Sequence, residues 1–201
     1  MIKQNDFKVI KKDEQGLVDI LKLRKEVYIS EDQRINSVDD FAESFDRYSS
    51  YSTYFIAFCR DKAIGTIKVI QDSPIGLPCD EVTNIDNWKN KGKVVEFCHL
   101  IVLPEFRKSN VVFHLMREAL KYTIETINAK YILADLFLDK KNHLKAFYHQ
   151  AGFIEIFGPY KDSRFNNSPE SSLIILDISK LYNIYRTAKG EKRKLLEFVL
   201  N

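Results

Sequence analysis

Long apolar runs are missing from this 201-residue chain. No stretch approaches the roughly 20 consecutive apolar residues that span a bilayer, so no membrane span is expected. The opening Met-Ile-Lys-Gln-Asn-Asp-Phe-Lys lacks the apolar region of a secretion signal. Cysteine is scarce and odd in number, at Cys59, Cys79 and Cys98. No spacing suits a metal site, so reduced thiols in a cytoplasm are expected. Cys59 and Cys98 sit in apolar strand patterns and read as core. His114, His143 and His149 make no ligand pattern with carboxylates, and no metal is expected. Charge of one sign is not in excess: 31 basic and 28 acidic residues leave +3. That balance argues against a dedicated nucleic-acid binder. The basic run Lys189–Lys194 also lacks the interleaved aromatics of such a surface. Internal repeats and low-complexity tracts are absent.

What is present is core material, at 45% hydrophobic and 12% aromatic residues. The length allows one domain, expected over residues 1–180, with a helical appendage over 181–201. Phe7–Lys12 alternates as an edge strand, and Glu14–Glu31 carries a helical apolar stripe. Val38–Tyr48 reads as a short acidic helix. Tyr54–Arg60 and Ala63–Ile70 form a hairpin around Asp61-Lys62. Gln71–Lys93 is a long loop with one helical turn, a length that is uncommon without a function. Val94–Leu103 is an apolar strand. Asn110–Asn128 is the strongest helix, capped by Ser109 or Asn110. Tyr131–Leu138 is a continuous apolar strand, as at a buried central position. A helix over Lys140–Ala151 closes at Gly152. Strands follow at Phe153–Phe157 and Ser172–Ile178, separated by a polar loop over Gly158–Pro169. One or two helices broken at Gly190 complete the chain. Early hairpins followed by alternating strands and helices predict an α/β fold, a mixed sheet with helices on both faces.

The segment 96–112 carries the most chemistry. A strand bearing one carboxylate, Glu96, breaks at Pro104. Arg107 and Lys108 then precede Ser109, Asn110 and a long helix. First-turn amides of a helix lack internal partners, so a basic pair at this point suggests a phosphate.

Element order and residues together resemble the GNAT acyltransferase superfamily over residues 7–178. Asn142, Ala146, Phe147, Tyr148, Gly152 and Phe153 match its late Asn–Tyr–Gly-Phe motif. The resemblance implies that Val94–Leu103 and Tyr131–Leu138 splay apart to admit the pantetheine arm of an acyl thioester. A narrower likeness rests on Leu23-Arg24-Lys25-Glu26-Val27-Tyr28, Phe45-Asp46, Phe55-Ile56-Ala57, Ile64-Gly65-Thr66, Glu96 to Val102 and Gly158-Pro159-Tyr160 with Asp162 and Arg164-Phe165. These pieces are similar to the branch holding N-acyl amino acid synthases and autoinducer synthases, which often take acyl-carrier protein as donor. Asn110 and Val112 stand where the superfamily usually has glycine or a small residue. Val112 brings a branched Cβ towards the phosphates and crowds a diphosphate. Coenzyme A carries a diphosphate and acyl-carrier protein a single phosphodiester, so the departure leans towards the carrier protein. His99 replaces the usual arginine.

The implied reaction is attack of an amine on a thioester carbonyl, with medium or long chains expected. Glu96 is the candidate base, since partial burial raises a carboxylate pKa. It is otherwise a structural carboxylate satisfied by backbone or by Arg24. Tyr148 is the candidate acid for the leaving thiolate, or else a packed aromatic. The backbone amides of Ile101 or Val102 would serve the carbonyl oxygen if the strand bulges before Pro104. The amides of Lys108, Ser109, Asn110, Val111 and Val112 would meet phosphate, with Arg107 beside them; Arg107 and Lys108 are otherwise a solvated turn. Asn142 holds the arm or caps its helix. Glu96 and His99 project to opposite faces unless a bulge intervenes. Trp88 is a packing anchor or a substrate wall. Two rival functions stay open: a short-chain acetyl-CoA-dependent N-acetyltransferase, and a non-catalytic acyl-thioester-binding module. The co-substrate is an acyl thioester of coenzyme A or acyl-carrier protein, and the partner a small-molecule amine.

Overall fold

The computed structural model describes residues 7–12, 17–33, 35, 46–138, 144–163, 165, 167 and 169–200. Strand β1 (Phe7–Lys12) is followed by helix α1 (Leu17–Arg24), which runs on as π-helical turns over Lys25–Glu31. This helical stretch buries Ile20, Leu23, Val27 and Tyr28, as its stripe predicts. Strands β2 (Ser52–Cys59) and β3 (Lys62–Gln71) form the expected hairpin. Arg60 adopts the left-handed backbone, φ 54°, in its two-residue turn. The long loop contains a 3-10 turn at Pro78–Glu81 and the single helical turn α2 (Asp86–Lys89). Strand β4 (Val94–Val102) leads to helix α3 (Val111–Tyr122). Helix α3 continues as a π-helical turn to Ile127 and stops at left-handed Asn128, φ 55°. Strand β5 (Tyr131–Phe137), helix α4 (Leu144–Ala151), strands β6 (Ile154–Tyr160) and β7 (Ser171–Asp177), and helices α5 (Ile178–Thr187) and α6 (Gly190–Leu200) follow. Gly152 closes α4 with φ 96°, and the amide of Phe153 reaches back to the Tyr148 carbonyl.

Some expected boundaries move. The helix over Val38–Tyr48 falls mostly outside the described residues, and Asp46–Tyr51 is a 3-10 turn. The strand expected to end at Phe157 runs on to Tyr160. Its register against β7 slips between Glu155 and Phe157 and again before Tyr160. Gly158 and Pro159 therefore occupy an irregular stretch of an edge strand, where a missing N–H is tolerated.

The strands form one seven-stranded sheet ordered β1-β2-β3-β4-β5-β7-β6. Only β4 and β5 run parallel, so the sheet is mixed, as the element order predicts. Side-chain alternation divides it into two faces. One carries Lys68, Ile70, Glu96, Cys98, Leu133 and Asp135, which the register sets side by side. Ile20 of α1 covers this face at Tyr54 and Ile56, and Leu77, Cys79 and Ile85 of the long loop cover it farther along. The other face, with Val69, Phe97, Ile132 and Leu176, packs against the remaining helices. Helix α3 buries Val111, Leu115, Met116, Ala119 and Leu120 there. Each full burial of such a large apolar side chain contributes about 1.5–3 kcal/mol. Gly65 allows this close approach: a Cβ on it would lie 2.9 Å from the Ile101 carbonyl oxygen and 3.3 Å from Leu115 Cδ1.

Candidate functional site

The central strands part company halfway. The parallel ladder between β4 and β5 pairs Val94–Phe97 with Tyr131–Ala134 and goes no further. Beyond it, Cys98–Val102 and Asp135–Phe137 continue as strands along the two sides of a slot. This is the splay expected at the Pro104 end.

Glu96 lies at the foot of the slot and is 3% exposed. Its Oε2 accepts a hydrogen bond from the Cys79 amide at 3.0 Å, and its Oε1 lies 3.5 Å from the Cys98 thiol, which donates to it. The backbone satisfaction considered from the sequence is thus present, supplied by the long loop. Lys89 anchors that loop by bridging Asp72 at 2.8 Å and Asp80 at 2.6 Å. Asp80 in turn accepts from the Leu77 amide at 2.6 Å. Burial first, then the Glu96 carboxylate, push the thiols of Cys79 and Cys98 far above the ordinary thiol range; fully buried Lys68 partly opposes this at Cys98.

Two phenols meet the same cluster. The Tyr160 hydroxyl donates to Asp135 across the β7 strand. Burial, then Asp135, raise its pKa above the usual phenol range. Tyr148 comes from α4 on the opposite face. Burial raises its pKa, and the charges of Asp135 and Cys98 add to the shift. Tyr148 also packs edge-on against Phe153, with ring centres 5.0 Å apart.

A bulge interrupts β4 at the slot. Thr66 pairs with Ile101 and Lys68 with Cys98, so His99 and Leu100 together oppose Ile67. His99 takes a left-handed backbone, φ 51°, is 8% exposed, and has its ring 6.3 Å from that of Tyr28. Such a conformation is costly for a non-glycine residue and concentrates at functional positions. Ile101 and Val102 are both buried. The Leu103 amide bonds the Ile64 carbonyl of β3, so alternation turns the Val102 backbone the other way, into the slot. The Val102 carbonyl there accepts from Arg107 Nε at 3.1 Å.

Arg107 is therefore folded back onto the strand, and its guanidinium also lies 3.6 Å from Asp32. Lys108 is exposed. The Ser109 amide donates to the Phe106 carbonyl, whereas Ser109 Oγ accepts from the Val111 amide at 3.4 Å. Serine is the cap of α3. Asn110 makes no side-chain cap and has a right-handed backbone, φ −87°; its amide group meets His114 Nε2 at 3.2 Å instead. Val111 starts the helix, and Val112 packs partly into the core. Asn142 lies outside the described residues. Trp88 packs against the cluster of Tyr48, Leu77 and Ile85. Of the basic run, Arg193 stacks on the Tyr185 ring at 3.7 Å and Lys194 pairs with Glu191 at 2.9 Å.

The site also contains Lys68, Asp135 and Tyr160, none of which the sequence reading placed there. A signal existed for two: Lys68 and Asp135 interrupt otherwise apolar strand runs, where an unpaired charge would be costly. An apolar cavity lies on the far side of Phe97, bounded by Met116, Phe147, Ala151, Leu196 and Val199 among others. Among the described residues, no group of three or more His, Cys, Asp and Glu is placed to hold a metal ion. No described helix is long and apolar enough to cross a membrane.

A family model described as N-acyl amino acid synthase FeeM matches residues 19–172. The structure of FeeM, an N-acyl amino acid synthase from uncultured soil microbes, is similar at TM-score 0.71 and 18% identity, covering 88% of this chain and 93% of that one. Mutant forms of the spermidine/spermine N-acetyltransferase SpeG from Vibrio cholerae match at TM-score 0.60 and 16% identity, covering 90% and 98%. Escherichia coli ElaA matches at TM-score 0.60 and 15% identity, covering 85% and 99%. No curated protein sequence matches the chain.

Proposed function

Since the chain belongs to the FeeM N-acyl amino acid synthase family and is an N-acyltransferase, we propose that it moves a medium or long acyl chain from a thioester to the amine of an amino acid or similar small molecule. The observation that carries this reading is the slot between β4 and β5, with a carboxylate on one side and an apolar cavity beyond Phe97.

Glu96 takes the amine proton. Its Oε2 is fixed by the Cys79 amide, and the Cys98 thiol donates to Oε1. A thiol is a weak donor, so an incoming amine N–H displaces it at little cost. As the amine adds to the carbonyl carbon, negative charge grows on the carbonyl oxygen, and the slot-facing Val102 amide is aimed to receive it. The C–S bond then breaks. Tyr148, whose raised pKa keeps it protonated, donates a hydrogen bond to the departing sulfur rather than surrendering its proton outright. The α3 start receives the donor's phosphate beside Lys108, with the amides of Asn110 and Val112 facing it, since those of Ser109 and Val111 already donate to the Phe106 carbonyl and Ser109 Oγ. Val112 is half-buried against the core; its branched Cβ, in place of a glycine at this turn, supports the single phosphodiester of acyl-carrier protein over the diphosphate of coenzyme A. Cys59, Cys79 and Cys98 are free thiols, suited to a reducing cytoplasm. Residues 1–180 form the catalytic unit in this reading, and 181–201 a helical addition.

The test is direct. Purified protein is given acyl-carrier-protein and coenzyme A thioesters, from acetyl to palmitoyl, with mixed amino acids. Free thiol and N-acyl products are followed by mass spectrometry. Longer donors should yield N-acyl amino acids; no product from any pairing would refute the reading. A second reading, acetyl transfer, has one observation in its favour: the cavity measures only about 20 Å³. Acetyl as the sole accepted group would select it.

A further inference from the structure

We propose that the C-terminal helix pair, α5 and α6, sets the acyl length the enzyme accepts, with Leu196 and Val199 as the wall against which the chain ends. The proposal rests on the acyl-transfer reading above. Its basis is where the cavity lies and what closes it. Phe97 belongs both to the last rung of the β4–β5 ladder and to the cavity lining, so the cavity lies directly behind the foot of the slot, with the Phe97 ring between the two. Leu181 of α5 and Leu196, Val199 and Leu200 of α6 line it away from the sheet. Leu196 and Val199 are 1% and 4% exposed, turned fully inward.

This wall is pinned. Phe198, on the same helix, stacks edge-on against His114 of α3 at 4.7 Å, with the Arg117 guanidinium 5.1 Å from its ring. Arg193 lies over the Tyr185 ring and bonds the Tyr185 carbonyl, tying α6 to α5. Asp177 caps α5 through the Ser179 amide at 3.0 Å. The space left is about 20 Å³, enough for roughly one water. How far a chain penetrates is thus decided by wall side chains and not by an open tunnel. A lining of apolar side chains selects an alkyl chain over any polar occupant. The family match ends at residue 172, before α5 begins. The wall therefore lies outside the segment that the family model matches.

Two full-length variants test this in opposite directions. Leu196→Ala should move the preferred donor to a longer chain, and Val199→Phe to a shorter one. The ratio of kcat/KM between long and short donors should change by about 10-fold or more per methylene. Leu200→Ala, at a half-buried position near the helix end, is the milder replacement should either variant fail to fold, and should lengthen the preference. In parallel, calorimetric binding of straight-chain fatty acids from butyric to palmitic reads the same optimum without turnover. An optimum that stays put in the folded variants, by both readouts, overturns the proposal even if the parent is a competent acyltransferase. A parent that acylates nothing, with variants whose fatty-acid optimum still moves, refutes the acyl-transfer reading and leaves the length-setting wall standing. A parent that neither acylates nor binds any of the fatty acids overturns both.

Discussion

Replacing Glu96 separates its chemical role from its structural one, because the two oxygens have different partners. In Glu96→Gln the amide oxygen can still accept from the Cys79 N–H, now 3.0 Å from Oε2, while basicity is gone. Loss of a general base costs about 10²–10⁴-fold in rate. Donor binding should hold, since no contact to the phosphate site changes. In Glu96→Ala the same rate loss should come with a structural one. The Cys79 amide, in a buried environment, loses its acceptor, and a buried donor left unsatisfied costs about 1–3 kcal/mol. For a chain of this size, each kcal/mol moves Tm by about 2–4 °C. Glu96→Ala should therefore melt roughly 2–12 °C below the parent, and Glu96→Gln close to it. Single-turnover rates with a saturating donor, paired with thermal melts, read both quantities. Parent-like turnover in Glu96→Gln would show that the proton leaves by another route. Equal melting of the two variants would show that the Cys79 contact contributes nothing.

Gly65→Ala should lower stability by about 1–3 kcal/mol, as overpacking does. Its Cβ would press on the Ile101 carbonyl at 2.9 Å, so turnover should fall more than donor affinity; an unchanged melt and rate would refute the tight fit. The raised thiols of Cys79 and Cys98 and phenols of Tyr148 and Tyr160 predict an alkaline limb of instability. The folded chain keeps protons that the unfolded chain releases above about pH 8.5 for thiols and about pH 10 for phenols. This stability is whole below those values and is lost as pH climbs, so Tm should decline from about pH 8.5 upward, whereas a flat profile to pH 11 would contradict it. Lys108→Glu should weaken donor binding and flatten its salt dependence, since exposed charges are screened over about 8–10 Å; unchanged affinity would move the phosphate site off the start of α3.

Much of the architecture is legible because its cues are local. The stripe from Val111 to Ile127 places α3, the unbroken apolar run places β5, and Gly152 ends α4 where a left-handed residue is needed. Glu96 and Tyr148 stand out as polar groups in apolar patterns. The rest depends on who lies beside whom. Lys68, Glu96, Cys98 and Asp135 converge only through the register of three adjacent strands, which no single segment encodes. Tyr160 joins them because β6 slips its register twice, and a sequence rich in Gly and Pro there reads as a loop. Arg107 looks like a free hand for phosphate until its tie to the Val102 carbonyl is seen. The Cys79 amide contact depends on how the long loop folds, and backbone donors leave no trace in residue type.

The short parallel ladder has a mechanical meaning. Strands β1 to β4 and strands β5, β7 and β6 are each zipped antiparallel, and among the described residues the strand pairing that stitches the two halves together is the short ladder from Val94 to Phe97. The sheet is a pair of plates joined by a seam, and the slot is the unstitched end of that seam. Local opening follows the weakest cooperative boundary, so amide exchange at Phe97 and Ala134 should outpace exchange deep within either plate. A donor seated in the slot bridges both plates and can bind only the closed, folded form. Its occupancy should slow seam exchange and raise the melting temperature together, in proportion to ligand concentration over Kd. The gap that admits the substrate is thus also the place where the substrate completes the fold.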